Sequence, residues 1–192
     1  MTPARDRARA RLIALLRLAY SGELAAIHAY RGHARSLPDA AERARIGAIE
    51  AEELRHREEV GRMLAALGAR PSRAREWRAG VIGRTLGLAC SFTGRFVPLY
   101  GAGRLESRNV GEYERAARHA RDAGRPELVE PLLAMAEVEW EHEAWFRARV
   151  LAHPCALLLP PWPAPPPKAS IRASFAREAS TPGRAEALAP TR

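Results

Sequence analysis

The chain has 192 residues, 47% hydrophobic and 28% charged, with 31 Lys and Arg against 22 Asp and Glu and a formal net charge of +9. That length suits one domain with a real core, and the excess of Ala, Arg, Leu and Glu over β-branched residues points to an all-α fold. Two cysteines, Cys90 and Cys155, argue against a disulfide framework or zinc ribbon and for a reducing, cytoplasmic compartment; no signal peptide is expected, and no run approaches a membrane span.

The first helix is predicted from Thr2-Pro3, with a capping hydroxyl and a first-turn proline, to about Arg35. "SLPDAAE" restarts the chain, Pro38 again falling in a first turn, and the second helix runs to Leu67-Gly68. "ARPSRAREW" reads as a connection, and residues 77–103, rich in glycine and interrupted by Pro98, as a broken helix or two. The next helix carries "RLESRNVGEYERAARHARDAG" and stops at Gly124; the last starts near Pro126 and ends before His153-Pro154. Residues 1–152 thus form the helical domain. Nine of the 15 prolines fall in residues 153–192, which predicts a Pro-rich tail, disordered or loosely docked.

Each long helix has an apolar seam stepping three and four residues at a time. The seams read Leu12, Leu16, Ala19, Glu23, Ala26, Tyr30; then Ile46, Ile49, Glu53, His56, Val60, Met63, Leu67. They continue as Leu99, Gly103, Glu106, Val110, Tyr113, Ala117, and as Leu128, Leu132, Met135, Glu139, His142, Phe146, Val150. Every seam therefore has one mid-helix glutamate, and two add a histidine one turn later. Glu52, Glu58, Glu112, Glu141 and Glu143 fall off the seams and are expected in solvent; Glu50 lies at an edge; His28, His33 and His119 are off the seams too.

A charged carboxylate in a dry core needs compensation. A glutamate from each of two helices, with Glu-x-x-His from each of two others, is the inward ligand set of ferritin-like di-metal bundles. The candidate ligands are Glu23, Glu53, His56, Glu106, Glu139 and His142. Four carboxylates balance two divalent ions, each taking one histidine, and iron and manganese both suit such donors. Tyr30 and Tyr113 fall on or beside the inner face. Tyr113 is the candidate catalytic residue, by hydrogen-bonding a ligating carboxylate or relaying an electron, with simple packing as the alternative. Trp140 and Trp145 read as packing residues.

Several stretches resemble the demethoxyubiquinone hydroxylase family of the ferritin-like superfamily. They are "SGELAAIHAYRGH", "AEELRHREEVGRMLAALGARPSR", "EWRAGVIGRTLGLACSFTG", "LESRNVGEY" and "VEWEHEAWF", within about residues 10–150. The resemblance implies a ferritin-like four-helix bundle with an extra helical connection, and two irons held by the six residues above. It also implies O₂-dependent hydroxylation of a prenylated benzoquinol in ubiquinone synthesis, with electrons from NADH or an equivalent donor. The quinol would be reached at a membrane, on the inner face of the cell membrane. Three features depart from the family: the Pro-rich tail, in which only "CALLLPPW" resembles an apolar membrane-associating end, Arg84 and Arg95 within the otherwise apolar connecting segment, and Asn109 with Glu112 around the third glutamate.

The arginine excess and the apolar run from Gly80 to Gly103 fit an anionic membrane; nucleic acid fits less well, for lack of an aromatic-plus-basic cluster to stack bases. Three rivals remain at this stage: a di-iron tRNA hydroxylase, a ferritin- or rubrerythrin-like iron or peroxide handler, and a metal-free helical module. A homo-oligomer is compatible with all of them.

Overall fold

The computed structural model describes residues 2–180. Among these the chain forms six α-helices and no strand: α1 (Pro3–Ser36), α2 (Ala40–Ala66), α3 (Arg73–Ala89), α4 (Phe96–Asp122), α5 (Val129–Leu151) and α6 (Ala169–Ser180). Short 3-10 turns precede and follow α5, at Pro126–Leu128 and Pro154–Leu157. α1 packs on α2, α3 and α4, and α5 packs on α4. α2 and α5 face each other through the ligand side chains themselves. The result is the expected ferritin-like four-helix bundle, with α3 as the extra helical connection.

The seams are buried along their length, with Ala19 alone half-buried among the positions named above. They build two apolar clusters. One holds Leu12, Leu16, Val60, Met63 and Leu132; the other holds Ile46, Ile49, Leu99, Phe146 and Val150. Each fully buried aliphatic side chain contributes about 1.5–3 kcal/mol. The glutamates and histidines lie between the two clusters, so apolar packing closes the bundle above and below them.

Helix ends follow local chemistry, with four corrections to the sequence reading. The Thr2 hydroxyl makes no cap bond. Asp39 caps α2 by accepting from the Glu42 amide at 2.7 Å, which leaves Pro38 just outside the first turn. α3 starts at Arg73, behind Ser72, so the predicted connection is shorter than expected. The chain breaks between Cys90 and Arg95, where Gly94 has φ +70°, and not at Pro98. Pro98 sits in the first turn of α4, where a missing N–H leaves no bond unmade.

α3 lies on α1 at backbone contact. A Cβ at Gly32 would fall 2.3 Å from the Gly87 Cα, and one at Gly83 would fall 2.4 Å from the Ala25 carbonyl oxygen. The glycine-spaced segment is therefore a close helix approach. α1 has the length and hydropathy of a membrane span by composition, against the sequence expectation that no run approaches one. Its Leu12, Leu16, Ala26, Ile27 and Tyr30 lie in the core, and 33% of that apolar window is buried.

The Pro-rich segment is docked over its described part, residues 153–180. Trp162 is buried and its indole N–H donates to Glu143 Oε1 at 2.7 Å, while Arg147 Nη1 donates to the Trp162 carbonyl at 3.0 Å. The Trp162 ring occupies the space left by Gly103, where a Cβ would lie 2.4 Å from it. The Trp140 indole holds the Pro166 carbonyl at 2.9 Å, and Ile171 enters the first apolar cluster. The few large apolar residues of the segment account for the docking; its remainder lies outside the described residues.

Candidate metal centre

All six predicted ligands converge at the middle of the bundle. Glu53, Glu106, Glu139 and His142 are fully buried, and Glu23 and His56 nearly so. Donor atoms of Glu23, Glu53, His56 and Glu139 lie within 4.8 Å of one another, as do those of Glu53, Glu106, Glu139 and His142. The two sets share Glu53 and Glu139. The Glu-x-x-His glutamates are therefore placed to bridge, and Glu23 with His56, and Glu106 with His142, to cap the two positions.

The donor atoms have the geometry of metal ligands. Both Glu53 oxygens and His142 Nδ1 are buried and make no hydrogen bond, although Nδ1 lies 3.2 Å from Glu53 Oε1. Unsatisfied buried polar atoms are rare, and three around one point call for a cation. Burial, then the neighbouring Glu139, Glu23 and Glu106 charges, pushes the Glu53 carboxyl well above its ordinary range. Burial and then Glu139 do the same to Glu106, and Glu139 is raised to about 8, mainly by burial. Carboxylates that suppress one another's ionisation are those that a divalent ion relieves. The donor set fits two such ions.

The tyrosines form a reciprocal pair. Tyr30, seven residues after Glu23 on α1, donates to Glu106 Oε1 of α4; Tyr113, seven residues after Glu106 on α4, donates to Glu23 Oε1 of α1. Burial above all, then the adjacent glutamate charge, raises both phenols well above their ordinary range, so each remains a donor. The Tyr113 ring also meets His56 edge-on, centroids 5.9 Å apart. Of the sequence alternatives for Tyr113, the hydrogen bond to a ligating carboxylate is the one the geometry contains.

Asn109 and Glu52 also touch the ligands. Asn109 Nδ2 donates to Glu106 Oε2 at 3.0 Å and approaches Glu139 Oε2 at 3.5 Å. Glu52, expected in solvent, is half-buried, with Oε2 at 2.6 Å from His142 Nε2 and the Arg45 and Arg55 guanidiniums at 3.6 and 3.7 Å. The reason is its place beside Glu53, facing α5. A proton on Nε2 held by Glu52 leaves the Nδ1 lone pair for metal. Glu52→Ala is expected to weaken binding of one of two ions roughly 10–100-fold and leave the other nearly unchanged, read by metal-competition titration. Equal weakening of both, or of neither, rejects this role.

Glu143, also expected in solvent, is 2% exposed and accepts from Trp162 and Arg147 because the docked tail covers that face of α5. Glu58 and Glu141 are exposed as expected, Glu112 is half-buried beside Arg108 at 2.9 Å, and the edge residue Glu50 pairs with Arg31 at 2.7 Å.

A four-helix bundle with one inward glutamate on two helices and Glu-x-x-His on two others has the fold and donor arrangement of ferritin-like carboxylate proteins, and its buried Glu/His cluster suits a metal site. The family described as Ubiquinone biosynthesis protein COQ7 matches residues 10–108, a span that includes Glu23, Glu53, His56 and Glu106. The chain belongs to that family, the demethoxyubiquinone hydroxylases that its motifs resemble. Glu139 and His142 lie beyond the match, and the fold brings them to the same point. No curated protein matches the chain, and no solved structure does.

Proposed function

We propose that the protein is a di-iron, O₂-dependent hydroxylase acting on a demethoxyubiquinol-type benzoquinol. The observation that carries this reading is an apolar cavity of about 380 Å³ between α1, α3 and α4, lined by Ala26, Leu86, Val97, Pro98 and Leu105 and reaching Tyr30. Tyr30 is bonded to the ligand Glu106, so a flat ring in the cavity lies one side chain from the metal positions. An iron storage protein has no need of an apolar chamber there.

Two irons, held by Glu23 with His56 and Glu106 with His142 and bridged by Glu53 and Glu139, would supply the redox chemistry that activates O₂. One oxygen atom enters the ring and the other leaves as water, so each turnover takes two electrons and one proton, a hydride equivalent, from a donor such as NADH, and a second proton from solvent. The chain's own part is structural and electrostatic. Tyr30, Tyr113 and Asn109 hold the terminal and bridging carboxylates in orientation. The apolar clusters above and below exclude bulk water. In ¹⁸O₂ with reductant and a short-chain demethoxyubiquinol, the iron-loaded protein should give a product carrying one ¹⁸O. Iron oxidation without labelled product would favour an iron-handling protein instead.

Such a substrate lives in lipid, and the outer face of α3 with the turn that follows it suits a membrane surface. Trp77, Leu88 and Phe92 are 72%, 65% and 81% exposed, with Arg78 and Arg84 exposed among them. Phe96 stacks near His153, centroids 5.0 Å apart, which brings exposed Leu157 and Leu158 to the same end of the bundle. Apolar side chains ringed by arginines bind anionic bilayers. Replacing Leu88 and Phe92 together with aspartate is expected to abolish co-sedimentation with anionic vesicles; undiminished co-sedimentation rejects this face.

A further inference from the structure

A second cavity, of about 180 Å³, lies on the α1–α4 face beside the apolar chamber. Its wall includes the ligand Glu23 itself, with Tyr113 and Asn109, which donate to Glu23 and Glu106. Leu105 lines both cavities, so they meet at one side chain and approach the centre at different capping glutamates. Leu15, Leu18, Ala19 and Gly22 share one stripe of α1 in the wall, so a side chain at position 22 would enter this pocket. No atom of the described residues lies within 4 Å of a Cβ built there. Gly32, Gly83 and Gly103, by contrast, are held to glycine by atoms 2.3–2.4 Å from such a Cβ. A glycine inside a helix weakens it relative to alanine, so Gly22 needs a reason other than packing. The open space beside Glu23 supplies one.

Resting on the hydroxylase reading above, we infer that this pocket is a separate port for dioxygen, kept open by Gly22 while the ring fills the neighbouring chamber. A ring in the chamber closes the approach at Tyr30 and Glu106, so the second reactant needs another way in. Dioxygen is small, uncharged and apolar. It suits a pocket walled by Leu15, Leu18, Leu105 and Ala116, with less than half the chamber's volume. Ferrous ions suit it less. The wall residue Glu112 pairs with Arg108 at 2.9 Å and with Arg115 at 3.9 Å, and two cations on one carboxylate oppose the approach of a third.

The test uses the full-length, iron-loaded protein kept anaerobic, as wild type, Gly22→Leu and Gly47→Leu. Gly47 is a mid-helix glycine of α2 with equally open surroundings and no place in the pocket wall, so it controls for a stronger helix. Crystals under xenon pressure report where an apolar gas settles. Stopped-flow absorbance, with excess short-chain methoxyhydroquinone present, gives the rate at which nitric oxide, standing in for dioxygen, reaches the ferrous ions. Xenon should occupy the pocket in wild type and be missing from it in Gly22→Leu. Nitric oxide should bind Gly22→Leu at least roughly tenfold more slowly, a barrier raised by about 1.4 kcal/mol, and Gly47→Leu as fast as wild type. Both variants should keep two irons. An unchanged nitric oxide rate in Gly22→Leu, or a wild-type pocket without xenon, overturns the port. Loss of iron from Gly22→Leu overturns it too, since the slower rate would then come from a damaged centre. The hydroxylase reading fails differently, by giving no labelled product in ¹⁸O₂ while the xenon and nitric oxide results hold.

Discussion

Replacing Glu53 with leucine is expected to stabilise the metal-free protein and to abolish the stabilisation that ferrous iron gives the wild type. Glu53 is fully buried, both its oxygens are unbonded, and three other carboxylates surround it. Apolar side chains of similar volume in place of buried ionic groups are often neutral or stabilising by about 1–4 kcal/mol. The same change removes a ligand shared by both metal positions. Iron at a hundred times its dissociation constant should stabilise the wild type by about 2.7 kcal/mol and the variant hardly at all. Thermal unfolding of both proteins, with and without iron, reads the four states. A variant that is less stable than wild type without metal, or that responds equally to iron, contradicts the bridging role.

The second large effect is on pH. Glu53 and Glu106 have carboxyls raised well above 4.5, and Glu139 is raised to about 8, all chiefly by burial. In the metal-free protein the folded state keeps protons that the unfolded chain releases from about 4.5 upward. The stability from these groups is fully present below 4.5 and drains as pH rises, through about 8 for Glu139. His56, lowered by burial, and His33, lowered to about 4, act oppositely, draining stability as pH falls below 6.5. Denaturant titrations from about pH 6.5 to 8.5 isolate the carboxylates, with a limiting slope of about 1.4 kcal/mol per pH unit for each proton. Metal-free stability should fall across that window, while the gain from iron should widen, because ligation needs the deprotonated forms. Metal-free stability that stays flat or rises would contradict a cluster of mutually suppressed carboxylates.

The fold and the convergence of the six candidate ligands were legible because both depend on spacing. A three-and-four seam specifies which side chains share a helix face, and a glutamate interrupting four such seams in register has few structural explanations. Surroundings were harder to read. Glu52 and Glu143 are off-seam by period, yet one reaches across to His142 and the other is roofed by Trp162. Both contacts depend on how α5 faces α2 and the tail, which no single-helix pattern encodes. Composition gave no register for the Pro-rich segment, although Gly103 opposite a later tryptophan is a signal of a kind. One further signal was present in the sequence. Glu23 with Tyr30 and Glu106 with Tyr113 share a seven-residue interval, and two antiparallel helices with that repeat place each tyrosine on the other's glutamate. Bridging roles for Glu53 and Glu139, against capping roles for Glu23 and Glu106, needed coordinates.

Metal stoichiometry after anaerobic loading with ferrous iron tests the central claim most directly. The geometry predicts two irons per chain, one at each of the two donor sets that share Glu53 and Glu139. One iron or none, in protein that is folded and otherwise intact, would contradict it.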